Sequence, residues 1–263
     1  MISPLALPGA LAIGISLGLL GSGGSILTVP VLVYLVGQDE KTAIAGSLFI
    51  VGSIALAGSL QYLRGRLIDW RSVLTFGVPG MAGTWLGALA AAFVPGIVQL
   101  ALFALVMLLA SWLMLRPVDL DKATGQSRAL WKIALDGLTV GVITGLVGVG
   151  GGFLIVPALV LLGGLRMHTA VATSLVIIAL KSYSGFYKYL DVLAGEGLSL
   201  DWSVLWTITA VGILGSVAGS YFARRVPQDR LKRWFGWFLI VMGAYILWRS
   251  APEIAALIPE WSA

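Results

Sequence analysis

Two short stretches carry the residues best suited to hold a ligand, Gly21-Ser22-Gly23-Gly24-Ser25 and Gly148-Val149-Gly150-Gly151-Gly152. Each lies inside a long apolar run, and each is followed five residues later by proline, Pro30 and Pro157. Glycine clustered at that depth marks a place where the backbone breaks. A helix that restarts after a break presents N–H groups without intrahelical partners, together with the positive end of its dipole. The matching chemistry is capture of a small anion. The candidate binding residues are Gly23, Gly24, Ser25 and Thr28 in the first copy and Gly150, Gly151 and Gly152 in the second. Ser22, Ser25 and Thr28 add hydroxyl donors, whereas Gly152 leaves bare backbone. The plain alternative is a tightly packed structural hairpin.

Lys181 lies twelve residues into an apolar segment running from Thr169 to Tyr189. An intramembrane lysine costs roughly 2.5–3.5 kcal/mol on insertion scales and marks a functional position by default. It either faces the anion, titrates during a cycle, pairs with Asp136, or snorkels along Tyr183 and Tyr187. Asp136 is a candidate proton-coupling carboxylate; its plainer role is an i,i+4 pair with Lys132. Ser47 and Ser174 are further candidate donors, or bond their own helix backbone. His168 stands beside a helix start and reads as a surface residue.

The elements that must position these residues are membrane spans. Of the 263 residues 59% are hydrophobic and 11% charged, and mean hydropathy is +0.97. A soluble domain carries about 25% charged residues. The apolar runs approach the ~20 residues that cross the hydrocarbon core. The 34 glycines suit close helix packing. Cysteine is absent and His168 is the only histidine, which excludes disulfides, thiolate chemistry and multi-histidine metal sites. No nucleotide-binding motif, nucleophile–base pair or cofactor motif stands out, so no enzyme activity and no cofactor are expected. The net charge of +5 sits in short loops, where it sets membrane orientation, not nucleic-acid binding. The N-terminus lacks a basic signal region, so its first apolar stretch is expected to be retained.

In order, the spans are Leu5 to Leu20, the first break, Ile26 to Val36, Ala43 to Leu63 behind a Thr42 cap, Ser72 to Phe93 and Ile97 to Leu115. The second half repeats them. Gly18 to Pro30 matches Gly145 to Pro157 at an offset of 127, with eight of thirteen residues identical. Thr42 to Val51 matches Thr169 to Ile178 at the same offset. After a five-residue insertion near Leu193 to Gly197, Asp69-Trp70 matches Asp201-Trp202 at an offset of 132. Gly80, Gly83 and Gly87 then match Gly212, Gly215 and Gly219, a spacing that suits helix packing. The expected division is 1–117 for the first repeat, 118–130 for a cytoplasmic connector and 131–263 for the second repeat, together one membrane domain.

Basic residues give the orientation. If each broken segment crosses once, the loops divide nine Lys and Arg against seven. If the chain turns back at each break, thirteen fall on one face and only Lys41, Lys188 and Arg249 on the other. Positive-inside sorting selects the second arrangement. The expected fold is an all-α polytopic membrane protein of two tandem inverted repeats, each a re-entrant broken-helix hairpin plus three transmembrane helices. Both termini are then extracytoplasmic, in a bacterial inner membrane. Two full crossings per hairpin give the same sidedness. Trp70, Trp131, Trp202, Trp234 and Trp248 read as an interfacial belt near helix ends.

The segments GLLGSGGSILTVP and GLVGVGGGFLIVP, each followed by a TAxAxSL segment, resemble the sulfite exporter TauE/SafE family over nearly the whole chain. The resemblance implies a transporter of a sulfur-containing anion such as sulfite, sulfoacetate or another organosulfonate. Its motif falls on Gly21–Pro30 and Gly148–Pro157, and Ser25 stands where the second copy has Gly152. A secondary transporter, with export favoured, is the leading expectation; a channel or uptake permease, and more remotely a membrane scaffold, are the alternatives. The partners expected are the anion and the lipid bilayer, with a homo-oligomer left open.

Overall fold

A computed structural model describes residues 6–21, 23–63, 65–115, 130–148, 152–161, 163–223 and 225–261. Ten helices and no strand occur among the described residues. They are α1 (Ala6–Leu20), α2 (Gly23–Pro30, continuing through a wider π turn, Val31–Val36), α3 (Glu40–Leu63), α4 (Trp70–Ala91) and α5 (Gly96–Leu115). The second set is α6 (Leu130–Val147), α7 (Gly152–Leu161), α8 (Met167–Gly195), α9 (Trp202–Ala223) and α10 (Gln228–Trp261). Five of these, α3, α4, α6, α8 and α9, are long and apolar enough to cross a membrane. Large apolar side chains such as Leu60, Leu74, Phe93, Leu214 and Trp248 are exposed, as a lipid-facing surface requires.

Local chemistry sets the ends. α3 starts at Glu40, earlier than a Thr42 cap would place it, because the Asp39 carboxylate accepts from the Lys41 amide at 3.0 Å. α4 likewise starts at Trp70, with Asp69 accepting from the Arg71 amide and the Ser72 hydroxyl. Asp201 accepts from the amides of Ser203 and Val204. The matched Asp-Trp pairs are therefore helix starts. Both π turns, Val31–Val36 and Val73–Gly77, adjoin a proline, Pro30 and Pro79. Proline removes a backbone donor and crowds the preceding turn, which accounts for the widening at Val73–Gly77 ahead of Pro79. The five tryptophans are exposed, although Trp248 lies within α10 and not at its end.

Glycine seams join the halves. A Cβ on Gly14 would stand 2.0 Å from the Gly212 carbonyl oxygen, and one on Gly18 2.1 Å from that of Ser216, so α1 and α9 pack backbone to backbone. The second seam joins α4 to α6. There a Cβ on Gly83 would stand 2.2 Å from the Leu138 carbonyl oxygen and one on Gly87 2.1 Å from that of Val142. Each seam pairs the first helix of one half with the fourth of the other. The packing role of the GxxxG spacings is thereby accounted for.

The same contacts fix helix directions. Gly52 faces Ser182 while Gly58 faces Leu175, so α3 and α8 run antiparallel. α9 and α1 run with α3, through Gly46 on Leu205, Gly58 on Ser216 and Gly14 on Gly212. α4 and α6 run with α8, through Gly77 on Ile177, Gly80 on Lys181 and Gly83 on Leu138. α5 and α10 are antiparallel, Leu115 on Gly236 and Leu108 on Gly243. The insertion in the second half ends α8, where Glu196 forms an ion pair with Lys41 at the start of α3.

Leucine at Gly14 or Gly87 would force touching backbones apart. We expect each change to destabilise the purified protein by about 3 kcal/mol or more. Thermal unfolding in detergent checks this against Gly195→Ala, which meets nothing within 4 Å and should leave the midpoint unchanged.

Candidate functional site

The site is built around the two breaks. Gly21 and Gly148 both take φ +71°, a left-handed conformation that glycine adopts without strain. Each amide still closes the preceding helix, Gly21 to the Leu17 carbonyl at 2.8 Å and Gly148 to that of Thr144 at 2.9 Å. The chain then reverses. Gly24 lies on Ile13 and Leu17, and Gly9 on Val31 and Leu35, so α2 runs back along α1. Its smallness at Gly24 serves this packing: a Cβ would reach the Ile13 carbonyl at 2.4 Å.

A break leaves carbonyls without helical partners. The glycine carbonyl at each break is met by the opposite half. The Ser47 hydroxyl donates to the Gly148 carbonyl at 2.7 Å, and the Ser174 hydroxyl to the Gly21 carbonyl at 3.2 Å. Both hydroxyls also approach their own helix, at Ile44 and Val171. Those two residues in turn close over the breaks. A Cβ on Gly148 would meet Ile44 Cγ2 at 1.8 Å, and one on Gly21 Val171 Cγ1 at 2.7 Å. Buried Tyr189 donates toward the Gly145 and Leu146 carbonyls just before the second break. Its counterpart Tyr62 is also buried. The tyrosine role escaped the sequence reading, although the offset of 127 that pairs Ser47 with Ser174 also pairs Tyr62 with Tyr189.

The other candidates fall as follows. Gly23 opens α2 and Gly152 opens α7. Gly150 and Gly151 lie outside the described residues. Ser25 and Thr28 are fully buried, and the Thr28 hydroxyl bonds the Gly24 carbonyl of its own helix at 2.7 Å. α2 and α7 pack against one another. Asp136 is half-buried on α6. His168 is exposed at the start of α8.

Lys181 is fully buried and its ammonium has no hydrogen-bond partner, so neither the Asp136 pair nor snorkelling describes it. Its Cδ and Cε lie over Gly80, 3.1 and 3.3 Å from where a Cβ would stand, beside the Gly137 carbonyl. The repeat-related position holds Ile54 over Gly212. Gly141 meets Gly80 as Gly14 meets Gly212. These two trios define one central level of the fold. Gly24, packed on Ile13 and Leu17, places the start of α2 within about one turn of it.

Ten helices among the described residues, exposed apolar flanks and a glycine break in each half define a multi-pass helical membrane protein. The profile of the family "Sulfite exporter TauE/SafE" matches residues 6–251, and the chain belongs to that family. A probable membrane transporter protein of Xylella fastidiosa is 32% identical over 251 residues, 93% of this chain and 94% of its own length. One from Methanocaldococcus jannaschii is 28% identical, covering 92% and 96%. Another, from Bacillus subtilis, is 26% identical, covering 88% and 92%. No solved structure matches the chain. Family and relatives together make it a membrane transporter.

Removing either serine hydroxyl strands a break carbonyl. We expect Ser47→Ala and Ser174→Ala each to cost about 1–3 kcal/mol. The two breaks are held separately, so the double variant should show additive losses in the unfolding midpoint.

Proposed function

We propose that the chain is a secondary transporter exporting a small sulfur-containing anion, such as sulfite or an organosulfonate, by alternating access around the two breaks. The observation that carries this is the exchange of partners across the halves: each break is closed by a serine and a branched side chain of the other repeat. A movement of one half against the other must then act on both breaks together. The family description supplies the anion class. Helix N-termini at α2 and α7 suit negative charge. At a potential negative inside, ~2.3 kcal/mol per charge per 100 mV drives an anion outward, so export needs no co-ion. Ser25, Thr28, the break glycines and Lys181 are the proposed contacts, with Asp136 the proposed proton-coupling carboxylate.

The halves, 1–117 and 131–263, are on this reading inverted repeats in one membrane domain, with a basic cytoplasmic face and both termini outside an inner membrane. Support comes from the antiparallel run of α3 against its counterpart α8 and of α5 against α10. Related helices of parallel repeats would share a direction.

Two experiments decide. Proteoliposomes holding the purified protein should show saturable counterflow of radiolabelled sulfite, competed by an organosulfonate such as methanesulfonate. Flux without saturation or counterflow points to a channel, and no flux of sulfite, thiosulfate or sulfoacetate removes the anion assignment. A reporter enzyme active only outside the cytoplasm should function when fused to the C-terminus. Activity only of a cytoplasmic reporter there would sink the inverted arrangement.

A further inference from the structure

We infer that Lys181 selects cargo by charge: the central site takes a singly charged, sulfonate-type anion and discriminates against a doubly charged one. This deepens the transporter reading and rests on it.

Two lysines are buried among the described residues. Lys41 is neutralised by Glu196. Lys181 is not: its side chain is sealed from solvent and all three ammonium donors lack partners. A fold that satisfies its break carbonyls across the halves leaves this one charge open.

Its position is central. Along α8, Lys181 lies seven residues after Ser174, whose hydroxyl holds the first break, and eight before Tyr189, which holds the carbonyls ahead of the second. At a rise of ~1.5 Å per residue the ammonium-bearing residue is about 10 Å from one and 12 Å from the other. The slot occurs twice and the charge once. Gly80 and Gly212 are equivalent, and Ile54 fills the second slot with hydrocarbon. Only one half carries a cation there.

The count of net charge sets the selectivity. α3, α4 and α7 pack on α8. Their described charged residues, Glu40, Lys41 and Arg71, lie at the starts of α3 and α4, away from the central level. Asp136 on α6 neighbours Gly137 and does not pair with Lys181. The helix N-termini supply oriented dipoles but no net charge, since their C-terminal ends carry the opposite sign. A monoanion on Lys181 leaves the loaded centre neutral. A dianion leaves one uncompensated negative charge where the dielectric is low. A sulfonate head also offers three oxygens to three N–H donors.

The test uses the full chain and two probes of fixed charge at neutral pH, ethanesulfonate as monoanion and sulfate as dianion. Thermal stabilisation in detergent reads binding; counterflow in proteoliposomes reads transport. Ethanesulfonate should stabilise the wild type and compete with labelled sulfite about tenfold better than sulfate does. Lys181→Gln should lose that preference, and Lys181→Arg should keep it. Sulfate acting as well as ethanesulfonate on the wild type, a comparison that needs no variant, overturns the inference. So does undiminished ethanesulfonate binding in Lys181→Gln; intact counterflow in that case leaves the transporter reading standing. Lys181-dependent stabilisation without counterflow upholds the site and removes transport. No stabilisation of the wild type by ethanesulfonate overturns the inference.

Discussion

A helix that breaks inside hydrocarbon exposes carbonyls that lipid cannot satisfy. The rest of this structure depends on how that constraint is met. Each half breaks once after its first helix, and the partner for the glycine carbonyl comes from the other half, Ser47 for Gly148 and Ser174 for Gly21. The solution is reciprocal for the glycine carbonyls, each held by the other half, while Tyr189 holds the Gly145 and Leu146 carbonyls within its own half. The left-handed glycines follow from the same constraint. A side chain at Gly148 would collide with Ile44, which shares a helix with the serine that holds it.

The glycine seams act at the next level. Lipid tails are as apolar as leucine, so side-chain burial gives little reason for two helices to prefer each other in a membrane. Removing side chains from α1 against α9 and from α4 against α6 lets backbones touch and gain dispersion contacts. The large side chains turn outward to lipid instead, which is why Leu74, Phe93 and Leu214 are exposed.

Much of this was legible in the sequence. Composition is averaged over the whole chain, so the membrane class survives any local error, and the matched glycines pointed to packing because the helix period fixes which residues share a face. Asp69 and Asp201 were visible as a pair but not as caps, since a capping bond depends on the entry angle of the chain. Thr42 lost to Asp39 for that reason: both types cap well, and geometry chose. The match between Ser47 and Ser174 was plain. What each one bonds was not, because the partner is a carbonyl, and backbone atoms leave no mark in a sequence. Lys181 was legible as an anomaly, its counterpart being Ile54, yet its lack of a partner is a statement about surroundings such as Gly137 and Gly80, 44 and 101 residues away along the chain.

One departure from symmetry has a thermodynamic meaning. In a machine made of two like halves, the two end states related by exchanging the halves carry equal energy, and neither is a resting state. Lys41 and Glu196 form their ion pair at one end of the α3–α8 pair. The position matching Lys41 in the second half is His168, and Glu196 belongs to an insertion the first half lacks. The contact therefore cannot recur at the opposite end. On the proposed alternating-access mechanism, it lifts the degeneracy that duplication imposes and gives the cycle a preferred place to wait.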